Sequence, residues 1–373
     1  MITIHALGDS LVTAYGQDEN NFIGGWGDHL WSFFDNTQVQ VKVYAQGGRS
    51  SRSFLNEGRF LDYGILSKEE WPFGMGPACH HIKPGDYVLM QFCHNDDDSK
   101  DRLTYVDRMT PLGTPDANGI YPTVVPTEQM KVPTRMPEEY VSLLEAEGHS
   151  PEKIAECLEK YEKILPTYGA KYWSYSCGAT YKGYLKFYAD NVRKLGAIPV
   201  IVTGAARQYF DGDTITAVSG HHGGRDAFGD FPYVRAAKQL AAEEGILLLD
   251  LFSRSRQLFE LLGKNHASSL QSIKNAEGIT LGEARYGRPA KWVEDYDAYW
   301  ANHSFDGVDE THQNRAGSYL FAGFLADGLY DGAKELRPYI LDTSGKKLKC
   351  PARITHRIPE MKALYQHTNV QLY

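Results

Sequence analysis

The segment TIHALGDSLVTAYG (Thr3–Gly16) runs an apolar, strand-like stretch into Gly8-Asp9-Ser10 and then into a stretch with helical patterning. A strand that ends in a glycine, an acid and a serine before a helix opens a strand–loop–helix unit. A serine in that place either caps the helix or stands as a nucleophile at the carboxyl end of the strand. The rest of the chain has to decide between the two.

Four more runs share the character of the first, Ile2–Leu7: Val39–Tyr44, Tyr87–Phe92, Ile198–Val202 and Ile246–Asp250. Each is nearly continuous in aliphatic and β-branched residues, the pattern of strands buried on both faces of a parallel sheet. Helical patterns stand between them, at Gly27–Phe34, Tyr181–Leu195 and Pro232–Glu244, the last followed by Gly245, a suitable C-cap. Strands alternating with helices predict a doubly wound α/β fold. Ligands in such folds gather at the carboxyl ends of the strands. Those ends carry Gly8-Asp9-Ser10, then AQGGRSSRS with Gly47, Gly48 and Arg49, then CHNDDD with His94, Asn95 and Asp96.

Two stretches break the rhythm. Residues from about 98 to 170 hold TPLGTPDANGIYP and a charged helix at Pro151–Ile164; residues from about 264 to 303 hold Trp292, Tyr296, Tyr299 and Trp300. Irregular stretches longer than about 15 residues are usually functional or carry structure of their own. Residues 1–335 therefore read as one domain with two insertions, each placed to wall or cover the site, or to form a subunit contact. Residues 336–373 read as an extension packed on its surface.

Composition narrows the class. With 42% hydrophobic residues in 373, the chain can bury a large core. A net charge of −8 and no basic stripe interleaved with aromatics exclude a general nucleic-acid binder. The five cysteines are scattered with no C-x-x-C pair, which argues against a disulfide framework and a cysteine zinc site. His80–His81 and His221–His222 are adjacent pairs, a poor spacing for joint metal ligation. No apolar run reaches the roughly 18 residues of a membrane span, and Met1 passes directly into the first strand without a leader. The expected location is cytoplasmic.

If Ser10 is a nucleophile it needs a general base. His312, in FDGVDETHQNRAG, follows Asp309 by three residues, so the carboxylate can reach back to the imidazole, fix its tautomer and stabilise its charged form. Asp306 is a competitor for that role at a less compact spacing. Acyl transfer also needs donors for an oxyanion. The Ser10 N–H at a helix start, the Gly48 N–H and the Asn95 side chain are the candidates.

The order GDSL, GRSSRS, HND and DETH resembles the SGNH (GDSL) hydrolase superfamily, and GGRSSRSFLNEGRF with QFCHND is most similar to its rhamnogalacturonan acetylesterase branch. The resemblance covers residues 1–97, about 181–263 and about 303–335. It implies a flavodoxin-like three-layer α/β/α sandwich around a five-stranded parallel sheet. It makes Ser10 the nucleophile, Asp309 and His312 its triad partners, and Ser10, Gly48 and Asn95 the oxyanion hole. The implied activity is a serine esterase that removes O-acetyl groups from plant cell-wall carbohydrate (pectin, xylan or mannan oligosaccharides) through an acetyl-enzyme, with no metal or organic cofactor. Two features depart from the branch: Cys93 stands where a glycine is usual before His-Asn-Asp, and the insertion after Asp96 is longer.

The expected partner is an acetylated oligosaccharide or another small ester, contacted by Trp26, Arg49, His94 and Trp292. For Arg49 a structural pairing with Asp9, Asp96 or Glu57 is the competing reading. A lipase, thioesterase or arylesterase on the same triad is the alternative among enzymes. A phosphate or nucleotide binder using Gly8–Ser10 and the Arg49/Arg52 loop is the alternative from another class, without a G-x-x-x-x-G-K-[ST] motif. Self-association is left open.

Overall fold

Five strands hydrogen-bond into one parallel sheet: β1 (Ile2–Gly8), β2 (Val39–Val43), β3 (Tyr87–Gln91), β4 (Ile198–Val202) and β5 (Leu247–Leu249), in the order β2-β1-β3-β4-β5. They are the five runs expected from the sequence, with ends shifted by at most one residue. The structure, a computed structural model, describes residues 1–16, 23–65, 76–97, 106–134, 138–217, 224–268, 270–273 and 308–341. Register is continuous across the centre, where Ile4 lies beside Val41 on one side and Tyr87 on the other. Every residue of β3 is buried, which accounts for its unbroken apolar run.

Helices cover both faces. On one, α1 (Ser51–Asn56), α2 (Tyr181–Lys194) and α3 (Pro232–Glu244) pack in succession. On the other, α4 (Leu251–Ser268) and α5 (Arg315–Gly332) pack together, and α5 also rests on two short 3-10 turns. The result is the three-layer α/β/α sandwich.

Those 3-10 turns, Trp26–Asp28 and Leu30–Phe33, stand where one helix over Gly27–Phe34 was expected. The apolar spacing was right, since Trp26, Leu30 and Phe33 are buried. His29, at φ −122° and ψ −20°, leaves helical geometry and divides the segment.

The stretch after Ser10 likewise departs from its helical patterning. Among the described residues no helix follows it, only one turn in which the Val12 and Thr13 N–H groups donate to Asp9 O, each at 3.1 Å. The carbonyls of Leu11 and Val12 are taken by the N–H groups of Trp26 and Gly27, at 2.9 and 3.1 Å. They are thus not available to the residues four positions on, and a helix cannot propagate.

The long stretch after β3 carries structure of its own. The helix Pro151–Ile164 lies at the residues expected, capped by the Ser150 side chain. With Glu138–Ala146 it borders a separate apolar cluster that includes Val106, Leu144, Ile154, Tyr161 and Tyr172. The later insertion, with Trp292, Tyr296, Tyr299 and Trp300, lies outside the described residues, as does Asp306. Flanking it, β6 (Gln271–Ile273) and β7 (Val308–Gln313) pair antiparallel with an irregular register. Beyond α5, Ile340 is buried and bridges to Phe34, tying the start of the C-terminal extension to the domain.

Candidate active site

The chain leaves β1 toward β2 on one side and β3 toward β4 on the other, so the loops after β1 and β3 diverge and leave a crevice. Ser10 opens one wall of it. The turn that presents Ser10 begins at Gly8, where a Cβ would fall 2.5 Å from both Gln91 O and Val12 Cγ2. Asp9 is fully buried behind it, with Oδ1 accepting from the Leu11 N–H at 2.9 Å.

β7 delivers the partners. Ser10 Oγ lies 2.8 Å from His312 Nε2, and His312 Nδ1 lies 2.9 Å from Asp309 Oδ2. Asp309 Oδ1 accepts from the N–H groups of Thr311 and His312, at 2.8 and 3.0 Å. Partial burial would raise the Asp309 pKa, but the hydrogen bond and charge of His312, together with those two amides, outweigh it and hold the carboxyl at about 2. A carboxylate anchored at both oxygens can fix the imidazole so that Nε2 faces the serine.

The second wall comes from the loop after β2. Gly48 has φ +78°, a conformation that favours glycine, and a Cβ on Gly47 would lie 3.7 Å from Ser10 Cβ. The GRSSRS motif that follows builds this wall. Ser50 caps α1 in a reciprocal capping box with Ser53, and Ser51 gives its N–H and hydroxyl to Asp96 Oδ1, at 3.0 and 2.5 Å. Arg52 is wholly buried and donates to the carbonyls of Val106, Met109 and Trp173. Burial pushes the Asp96 carboxyl up to about 7, against the opposing hydrogen bonds from Ser51 and Thr110.

Asn95, from the loop after β3, gives the third candidate donor; its Nδ2 donates to Arg49 O at 3.2 Å. Ser10, Gly48 and Asn95 therefore lie on three neighbouring loops of one sheet end, with the His312 imidazole on Ser10 Oγ. The Ser10 N–H is supplied by a turn and not by a helix start, so the helix-dipole contribution expected for it is absent.

The expected substrate contacts fare differently. Trp26 is 0% exposed, with its indole N–H donating to Gln91 Oε1 at 2.7 Å, so it belongs to the floor of the core and cannot meet a ligand. His94 is also buried and its Nε2 lies 2.9 Å from Ala205 O. Arg49 braces the wall, its Nε on Glu57 at 2.9 Å and Nη1 on Gly47 O at 2.9 Å, which is the competing structural reading. Trp292 lies outside the described residues. With Arg49 and Arg52 spent inside the scaffold, the phosphate-binding alternative loses both of the cations it relied on.

Two residues at the site were not singled out in the sequence. A Cβ at Gly47 would be 3.7 Å from Tyr15 Oη, and one at Gly48 would be 3.4 Å from Arg108 Nη1. Tyr15 stands five residues after the nucleophile candidate, in the segment that carries it. Arg108 belongs to the irregular insertion, where no periodicity marks it.

No family model matches the chain. A probable rhamnogalacturonan acetylesterase of Bacillus subtilis is 28% identical over 277 residues, covering 74% of this chain and 81% of the relative. A second rhamnogalacturonan acetylesterase of that organism is 23% identical over 349 residues, covering 93% of this chain and 97% of the relative. A rhamnogalacturonan acetylesterase of Emericella nidulans is 32% identical over a shorter stretch of 94 residues, 25% of this chain and 28% of the relative. The similarity to the rhamnogalacturonan acetylesterase branch of the SGNH hydrolases, read first from four short blocks, thus extends along most of the chain.

Proposed function

We propose that this chain is a serine esterase that removes O-acetyl groups from carbohydrate. The observation that carries the reading is the unbroken line from Ser10 Oγ through His312 to Asp309, at 2.8 and 2.9 Å, at the sheet end whose loops also carry Gly48 and Asn95. Ser10 Oγ attacks the ester carbonyl as His312 Nε2 takes its proton. The carbonyl oxygen becomes an oxyanion, met by the N–H groups of Ser10 and Gly48 and the side chain of Asn95. Collapse expels the sugar hydroxyl, which receives the proton from His312, and leaves an acetyl-enzyme. Water, deprotonated by His312, then attacks that ester and releases acetate and free Ser10. Asp309 holds the imidazole in place throughout.

Acetylated pectin, xylan and mannan oligosaccharides are the substrates this reading favours; the relatives' names, rhamnogalacturonan acetylesterases, support an acetylated carbohydrate without choosing among these. The test is acetate release from a panel of these, with 4-nitrophenyl acetate as a neutral probe. Ser10→Ala is expected to lose turnover of all of them; substantial remaining activity ends the proposal. Comparing acetyl with octanoyl esters separates a deacetylase from a long-chain lipase, which would prefer the octanoyl ester.

A further inference from the structure

The inserted segment after β3 reaches back into the site with unusual firmness. Five successive carbonyls of residues 106–110 each accept a hydrogen bond from a side chain. Val106 O and Met109 O take Arg52, at 2.5 and 2.9 Å, and Asp107 O takes the Tyr168 hydroxyl at 3.1 Å. Arg108 O takes the Thr110 hydroxyl at 3.2 Å, and Thr110 O takes the Tyr233 hydroxyl at 2.6 Å. The Thr110 N–H in turn donates to Asp96 O at 2.9 Å, which ties the segment to the loop carrying Asn95. A backbone held from outside at the four residues flanking Arg108, and by Thr110 at Arg108 itself, keeps its side chains in place at little further entropic cost.

What this clamp presents to the site is the Arg108 guanidinium. Its Nη1 lies 3.5 Å from Asn95 Oδ1 and over Gly48, and its Nε lies 3.5 Å from Asp107 Oδ2. A carboxamide can sit in either of two flipped orientations, and its neighbours choose between them. At one end of Asn95 is Arg49 O, which only accepts; at the other is a guanidinium, which only donates. Both select the same orientation, with Nδ2 on the Arg49 side. One Nδ2 hydrogen is then engaged by Arg49 O and the second is left for an oxyanion.

We propose that Arg108 is a positioning residue for the oxyanion hole, acting through the Asn95 side chain. The inference rests on the esterase reading above. Because Asn95 would stabilise the transition state more than bound substrate, losing its orientation affects kcat and spares KM.

The test is steady-state turnover of 4-nitrophenyl acetate by Arg108→Gln, Arg108→Lys and Asn95→Ala, and by Arg108→Gln combined with Asn95→Ala. Removing an oxyanion donor costs about 10²- to 10³-fold in kcat, so losing only its orientation is expected to cost roughly tenfold, with KM within about twofold. Arg108→Lys, which keeps the charge, is expected to recover part of the loss. In the Asn95→Ala background the Arg108→Gln change is expected to cost less than about twofold, since its target is gone. An unchanged kcat, an effect confined to KM, or the same tenfold loss in both backgrounds would overturn this inference alone. Absence of Ser10-dependent turnover in the unaltered protein would overturn the esterase reading, and this inference with it.

Discussion

Cys93 fills the space that Gly204 leaves open: a Cβ on Gly204 would fall 2.6 Å from Cys93 Cβ and 3.0 Å from its Sγ. The chain thus accommodates a side chain at position 93 by having none at the facing position after β4. The thiol is buried, and burial, with Asp96 and Asp97 nearby, pushes its pKa well above the ordinary cysteine value. It is a packing group and not a nucleophile.

The pairing makes a reciprocal prediction. Gly204→Ala forces an overpacked contact and is expected to destabilise the chain by about 1–3 kcal/mol. Adding Cys93→Gly removes the clashing atoms and is expected to return most of that loss. Denaturant midpoints of the two single variants and the double variant read this directly. Additive losses in the double variant would mean that the two positions do not share their space.

Asp309→Asn tests the role of the carboxylate twice. An amide in its place no longer enforces the imidazole tautomer, and kcat at neutral pH is expected to fall by about 10³- to 10⁴-fold. The second readout is stability. The folded-state pKa of about 2 lies below the ordinary aspartate value of 3.8, so the ionised form stabilises the fold above pH 4. That contribution, about 2 kcal/mol, is lost as pH falls from about 4 to about 2. The stability gap between the unaltered protein and Asp309→Asn should therefore narrow across that window. A gap independent of pH would count against the assigned ionisation.

Asp96 predicts the opposite slope. Burial raises its folded-state pKa from 3.8 to about 7, so the folded state binds a proton that the unfolded state has already released. Stability should then decline as pH rises from about 4 to about 7, and level off above that. Asp96→Asn keeps the shape without the titration, and should lose this slope while weakening the link to Ser51. Thermal melts from pH 4 to 8 are the measurement, and an unchanged slope in Asp96→Asn would place its origin elsewhere.

The central strands were legible because burial on both faces leaves an apolar run, complete in β3, whereas β2 at the sheet edge keeps its valines but alternates them with exposed Gln40 and half-buried Lys42. Ser10, Gly48, Asn95, Asp309 and His312 were legible because short polar blocks follow three of those strands and precede α5. The helix expected after Ser10 was not, because residues 26 and 27 take the carbonyls it would have needed. Such a partner lies too far along the chain for local patterning to reveal. Arg108 was hidden for a related reason: its placement depends on Arg52, Tyr168 and Tyr233, contributed by three separate segments. Trp26 and His94 failed as substrate contacts on exposure, since tryptophan and histidine near a glycine-rich loop look alike in sequence whether they face solvent or core.

Trp26→Phe separates those two roles for one of the expected substrate contacts. Its indole N–H donates to Gln91 Oε1 at 2.7 Å, and both residues are 0% exposed. Phenylalanine keeps most of the apolar volume but leaves the Gln91 oxygen without this donor in the core. A stranded buried acceptor costs about 1–3 kcal/mol, so the variant should melt earlier and unfold at lower denaturant. Below its melting range, however, KM for acetylated oligosaccharide should match that of the unaltered protein, because no ligand reaches the ring. A raised KM at unchanged stability would return Trp26 to the binding surface and would require the loop after β1 to open in solution.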